Sequence, residues 1–222
     1  MGNKRGSHVG MIASFAIFVL FLIGIYLAVE PAFKTGNDKK LLLEYTKSGL
    51  LNEFSSNLTT VIIKPAGNCS IISNSLAEVP NGYYAIVKDE NGNVVGSNFS
   101  GNNLAVNTYN GALWIYYSDT PFISSTSSDI GCVAPPIESI RDNKEIFENK
   151  ILNGISNFES LKTSLKIPTG SEFSLGFEYS NGTRISSFEK NVSSEVYAEE
   201  IYIRYVDKNA NNLPGKLIIK TW

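Results

Sequence analysis

The side chains best suited to chemistry in this chain are oxygen donors in two short polar stretches, "KDENGNV" at Lys88–Val94 and "VDKNAN" at Val206–Asn211. Clustered carboxylate and amide oxygens are hard ligands of the kind calcium takes. The fixed ligand positions of a calcium-binding hand are not met, however, and Asp followed by Asn and Gly is the composition of a tight turn. Both stretches read first as polar turns, and no metal site is assigned. A second set of acids, Glu138, Asp142, Glu145, Glu148 and Glu159, has the residue type for general acid and base work across a cleft. On an amphipathic helix the same acids are simply its solvated face. There is no Gly-x-Ser-x-Gly elbow, no phosphate-binding glycine loop and no paired-histidine motif, and the one histidine, His8, precedes a long apolar segment. The chain reads as a non-enzyme with no catalytic residue and no cofactor.

Two cysteines, Cys69 in "AGNCSII" and Cys132 in "DIGCVAP", are the only ones. In an exported domain such a pair reads as one disulfide closing a long loop; the alternative is two buried free thiols. Five Asn-x-Ser/Thr triplets, at Asn57, Asn68, Asn98, Asn181 and Asn191, are acceptors for glycans if the domain lies outside the cell, although an Asn- and Ser-rich chain also produces such triplets by chance. Tyr83, Tyr84, Tyr116 and Tyr117 supply rings for contacting a saccharide or peptide. Adjacent strand residues point to opposite faces, so each pair must turn one ring away from any shared surface.

The element that decides where these groups sit is the apolar block Val9–Val29, free of charge between Arg5 and Glu30 when His8 is neutral. As a helix it extends about 31 Å, the thickness of a bilayer's hydrocarbon core. It is longer than a secretory h-region and lacks a clean Ala-x-Ala site, so retention as a signal-anchor is expected. Lys4 and Arg5 precede the block with no acid among them, which puts the short N-terminus (residues 1–8) in the cytoplasm and the rest outside the cell membrane as a single-pass protein. Lys34, Lys39 and Lys40 add positive charge at the far boundary. Gly10 with Ser14, and Gly24 with Ala28, form small-xxx-small pairs that allow another helix to approach, against the alternative of a monomeric tether in lipid. A net charge of −2 from 19 basic and 21 acidic side chains gives no basic field for nucleic acid.

Beyond the span, residues 30–56 read as a juxtamembrane helical stalk with Leu42, Tyr45, Leu50, Leu51 and Phe54 on one side, and with Pro31 either renewing or kinking the helix. Residues 57–222 read as an extracytoplasmic domain. It begins with a strand over Thr59–Lys64, then hairpins about Asn91-Gly92 and Asn110-Gly111, then a long Ser-rich loop. "PPIESIRDNKEIFENKILNGISNFESLKTSLKIPTG" reads as helix, with Phe147, Ile151, Ile155, Phe158, Leu161 and Leu165 at helical spacing and Gly154 as the dividing point. Alternation returns at Phe173, Leu175 and Phe177, turns at Asn181-Gly182, resumes at Ile201, Ile203 and Tyr205, and ends in a strand up to Trp222 after a loop near Asn211.

The leader "NKRG", the unbroken apolar helix behind it and a β-rich outer domain together resemble archaeal type IV pilin-like proteins. "FESLKTSLKIPTGSEFSLGFEYSNG" and "VYAEEIYIRYVDKNANNLPGKLIIKTW" resemble a pattern in archaeal single-pass membrane-anchored surface proteins. The pilin resemblance implies cleavage after Gly6. It also implies an acid at the fifth mature position, where this chain has Met11. The sequence therefore specifies an α+β fold: an N-terminal transmembrane helix, then a β-rich extracytoplasmic domain with one or two packed helices. The expected role is a cell-envelope structural or interaction component whose partners are membrane lipid and further copies or other envelope proteins. The alternative is an anchored ligand-binding or adhesion module.

Overall fold

The computed structural model describes residues 5–65, 69–100, 102–107, 110–123, 132–168, 170–187 and 196–222. One helix, α1 (Arg5–Phe54), runs for 50 residues, about 75 Å at 1.5 Å per residue, and continues through Pro31. Strand β1 (Ser55–Ile63) follows with no intervening loop, so it starts earlier than the Thr59 expected from its β-branched run. The second part of α1 is more than a stalk. Leu42, Leu43, Thr46, Leu50 and Phe54 are buried within the folded domain, which therefore includes residues assigned from sequence to the 30–56 segment.

The remaining elements are β2 (Cys69–Ser73), β3 (Tyr84–Lys88), β4 (Val94–Val95), β5 (Ser97–Ser100), β6 (Asn103–Asn107), β7 (Leu113–Ser118), β8 (Ile137–Phe147), α2 (Glu148–Ser156), α3 (Phe158–Ser164), β9 (Phe173–Tyr179), β10 (Arg184–Ser186), β11 (Tyr197–Val206) and β12 (Asn212–Thr221). The large sheet has the order β10-β9-β12-β11-β8-β1-β7-β3-β4, and a small sheet has the order β2-β6-β5. Among the described residues every ladder between these strands is antiparallel except β11 with β8, which is parallel and limited to Tyr205–Ile146 and Val206–Phe147.

That two-pair contact divides the large sheet into two lobes with separate cores. In one, Phe173, Leu175 and Phe177 of β9 and Leu217 and Ile219 of β12 pack under Leu50 and Phe54 of α1, Ile151 and Ile155 of α2 and Leu161 of α3. In the other, Val61 and Ile63 of β1, Leu113 and Ile115 of β7 and Val87 of β3 face Ile72 of β2 and Leu104 and Val106 of β6, a sheet-on-sheet packing. A small third cluster at the junction contains Leu58, Ile86, Phe147, Val206 and Ala210.

Three expectations are corrected. The first eleven residues expected as helix, Ile137–Phe147, form strand β8, paired with β1 along nearly its whole length. The helical part begins at Glu148, and its division falls at Asn157, not at Gly154. Gly154 lies inside α2 because a Cβ there would stand 2.8 Å from the Phe54 ring. The turn at Asn110-Gly111 does not close a hairpin. Strand β6 before it pairs with β2 and β5, while β7 after it pairs with β1 and β3, so this segment carries the chain from one sheet to the other. The hairpins at Asn91-Gly92, at Asn181-Gly182 and between β11 and β12 form where expected. The Ser-rich segment lies largely outside the described residues.

Gly215 on β12 sits beneath the edge-to-face pair Phe177–Tyr205, whose ring centroids are 5.1 Å apart. A Cβ at this position would lie 2.9 Å from an atom of each ring. Gly215→Ala is accordingly expected to destabilise the domain by about 1–3 kcal/mol, the usual cost of overfilling a packed core. Urea unfolding followed by tyrosine fluorescence measures it, and an unchanged midpoint would contradict this packing.

Candidate functional site

The feature with the strongest bearing on function is the first half of α1. From Gly10 to Leu27 its mean hydropathy is 2.5 and none of it is buried. Met11, Ile12, Phe15, Ile17, Phe18, Leu20 and Phe21 are all exposed around the full circumference of the helix. At about 1.5 Å per residue this window is about 27 Å long, enough to cross a hydrocarbon core with modest local adjustment. A helix apolar all round belongs in lipid or within a bundle. The chain is thus a membrane-anchored protein with a folded, β-rich extracytoplasmic domain.

Small residues mark one side of this span. At about 100° per residue, positions 10, 14, 24 and 28 fall within about 80° of one another, with Ile17 and Phe21 between them. A Cβ added at Gly10 or Gly24 would meet nothing within 4 Å. The backbone is therefore open to approach at both positions. The Ala28 side chain, like residues 1–4 of the leader, lies outside what is described; Gly6 falls in the first turn of α1.

The other end of α1 is fastened by polar contacts. Tyr45 donates its hydroxyl to the Leu165 carbonyl at 2.9 Å, Lys47 pairs with Glu199 of β11 at 2.5 Å, and Asn52 accepts from Lys144 of β8 at 2.7 Å. Just beyond the helix, Lys150 of α2 donates to the Ser55 carbonyl at 3.2 Å and to Ser56 Oγ at 3.1 Å, favourably placed against the negative end of the α1 dipole. Ser56 donates to Asp119 Oδ1 at 2.5 Å. Burial works to raise the Asp119 carboxyl; hydrogen bonds from Ser56, Thr120 and Ser118, with the Lys150 charge, overcome it and hold the group below the usual carboxylate range. Serine beside lysine is a nucleophile–base pairing in some hydrolases. Here the serine proton is directed at a carboxylate and the lysine donates to two oxygens, so the cluster joins α1, β1, β7 and α2.

The acids singled out by sequence are dispersed. Glu138, Asp142 and Glu145 lie on β8, Glu148 on α2 and Glu159 on α3. Asp142 accepts from Thr59 Oγ1 and Glu148 accepts from the Tyr179 hydroxyl at 2.7 Å. Burial and the neighbouring Glu148 push the Tyr179 phenol well above its ordinary value. The tyrosines do not gather around a concavity. Tyr117 is fully buried, Tyr83 packs on the second core, Tyr116 is half-buried beneath Lys88, and Tyr84 is half-exposed. Among the described residues no three His, Cys, Asp or Glu side chains gather as a metal site.

Cys69 and Cys132 are joined by a disulfide, Cα to Cα 4.3 Å. The bond lies beside a short parallel bridge in which the Ile71 amide donates to the Val133 carbonyl and the Val133 amide to the Cys69 carbonyl. Of the sequons, Asn57 is exposed on β1, Asn98 half-buried on β5 and Asn181 exposed in the β9–β10 turn; Asn68 and Asn191 fall outside the described residues.

The two oxygen-rich stretches are turns of one design. Asp89 Oδ1 accepts the amides of Asn91 and Asn93, and its Oδ2 accepts from the Asn93 side chain; Asp207 does the same with Asn209 and Asn211. Sequence reasoning missed that the two turns meet, through Lys88 Nζ donating to Asn211 Oδ1 at 2.6 Å. The repeated Asp-x-Asn-x-Asn was the available signal for their shared geometry; their contact depends on the strand order. Comparison with family models, curated proteins and solved structures finds no match.

Proposed function

We propose that this protein is a pilin-like structural subunit of the cell envelope, held with its short N-terminus in the cytoplasm and its domain outside, and assembled with further copies through the apolar half of α1. The observation that carries this reading is the continuity of α1. The helix that lies bare and apolar at one end is, at the other, the buried spine of the domain, with Leu50 and Phe54 in its core. Force or packing constraints on the span are then transmitted to the domain without a flexible joint. Close approach of a second helix is favoured at Gly10 and Gly24, where the backbone is open, and at the small Ser14 on the same side. The dispersal of the tyrosines removes the main support for a ligand-binding module. Exposed Asn57 and Asn181 are the sequons best placed to carry glycans in such a subunit.

Single-cysteine substitution in membranes tests assembly. Ser14→Cys is expected to give oxidised dimers in native membranes, whereas Ile12→Cys, on the opposite side, is expected to give few. Equal yields from both, or none from either, would leave α1 as a monomeric tether. Protease added to intact cells is expected to digest the domain, and full protection of it until lysis would reverse the orientation. The mass of the N-terminal peptide then separates a processed subunit beginning at Ser7 from an anchor that keeps Lys4 and Arg5.

A further inference from the structure

Lys88 is the last residue of β3 and is only 5% exposed. Its amine lies 5.8 Å from the centre of the Tyr116 ring and 2.6 Å from Asn211 Oδ1, although the two residues are 123 positions apart. Asn211 is held on its other side by Asp207. Its amide N–H donates to Oδ1 at 2.7 Å and its side-chain Nδ2 donates to Oδ2 at 2.9 Å. This contact orients the carboxamide, with nitrogen toward the carboxylate and oxygen toward the lysine. Phe147, Val206, Ile86 and Phe122 belong to the apolar cluster between the lobes, which also takes in Tyr116, the ring under Lys88; Asp207 and Asn211 are themselves half-buried. A buried primary amine, a carboxamide and a carboxylate are thus lined up, the carboxamide oriented from both sides.

We propose that Lys88 and Asn211 condense into an intramolecular isopeptide bond, Nζ of Lys88 to Cγ of Asn211, with release of ammonia. Burial lowers the Lys88 pKa, opposed by the Asp207 charge, and so favours the neutral amine that attack requires. The carbonyl carbon lies one C=O bond, about 1.23 Å, beyond the oxygen that Lys88 already touches, so a small side-chain turn brings the amine onto it. The Nζ lone pair forms the new C–N bond while the carbonyl electron pair moves to Oδ1. When the carbonyl re-forms, the Cγ–Nδ2 bond breaks. The proton lost by Nζ passes through the Asp207 carboxylate to Nδ2, which leaves as ammonia. One C–N bond is made and one broken, no group is oxidised or reduced, and no co-reactant is needed. Asp207 is catalytic in this step because it holds the leaving nitrogen.

The location gives the bond a purpose. Lys88 belongs to the lobe built on β1, β7 and β3, and Asn211 to the lobe built on β9, β12 and β11, and among the described residues these lobes share only the two β11–β8 pairs in the large sheet. A covalent link would close the junction where the hydrogen-bonded connection is shortest.

Mass spectrometry of the full chain, purified in detergent with its disulfide formed, tests the proposal. The intact protein is expected to be lighter than its oxidised sequence by one ammonia. Trypsin is expected to leave the chain uncut at Lys88 and to yield that segment joined to the peptide between Lys208 and Lys216. Asp207→Asn and Asn211→Ala should abolish the linked species, while Asn93→Ala, in the matching turn, should retain it. Folded, disulfide-bonded wild-type protein with Lys88 and Asn211 in separate peptides overturns the proposal. So does an ammonia loss confined to an Asn-Gly site, such as Asn91 or Asn181, where it marks a cyclised imide.

Discussion

Phe54→Ala is expected to lower the stability of the folded domain by about 3–5 kcal/mol, the range for truncating a buried aromatic side chain. Phe54 is 1% exposed, ends α1 and meets α2 where Gly154 has no side chain. The ring is therefore held between two helices that already touch closely, and the space it leaves cannot collapse without moving one of them. That places the effect toward the upper part of the range. Urea unfolding of the detergent-solubilised chain measures it, with Leu41→Ala, at a 71% exposed position of the same helix, as the control expected to change little. A Phe54→Ala loss below about 1 kcal/mol would mean that α1 is not the spine described.

Removing the Cys69–Cys132 bond, by paired substitution to alanine, is expected to cost about 4 kcal/mol. The bond closes a loop of 63 positions, so most of the effect comes from the greater freedom of the unfolded chain. Part should be visible in the folded state. The hydrogen bonds between Ile71 and Val133 and between Val133 and Cys69 fasten an otherwise isolated bridge to the edge of the small sheet. Hydrogen exchange at the Ile71 and Val133 amides is expected to accelerate more than at Leu217 or Ile219 in the other lobe. A stability change below about 1 kcal/mol, with uniform exchange, would assign the bond no structural weight.

The parts of the fold readable from sequence are those set by short-range pattern. Phe173, Leu175 and Phe177 alternate because they line a core, and Asn91-Gly92 and Asn181-Gly182 close hairpins because those residues accept the turn's backbone. The error at Ile137–Phe147 has a definite cause. Ile137, Ile140 and Phe147 fall at intervals that suit a helix, yet nine residues of β1 offer this segment a partner ladder, and pairing outweighs local preference. Gly154 reads from sequence as the point that divides a helix. It instead permits close contact with Phe54, as Gly49 within α1 does with Leu165, and such a need is invisible until the helices are placed. The candidate site divides the same way. The span is legible because it is uncharged and apolar apart from Ser14 and the Tyr26 hydroxyl, whereas the meeting of Lys88 with Asn211 depends on a strand order that no local pattern encodes.

The unbroken course of α1 has a geometric consequence for anything built from this protein. A rigid screw connects the span to the domain, so azimuth and height are coupled. Each residue added or removed between Leu27 and Leu42 would turn the outer domain by about 100° around the helix axis while shifting it by about 1.5 Å along that axis. Four residues nearly restore the original bearing, at a height changed by about 6 Å, whereas two present the opposite side of the domain to its neighbours. The segment between membrane and domain therefore acts as a phase setting, and tolerance to length change there is expected to follow the helical repeat.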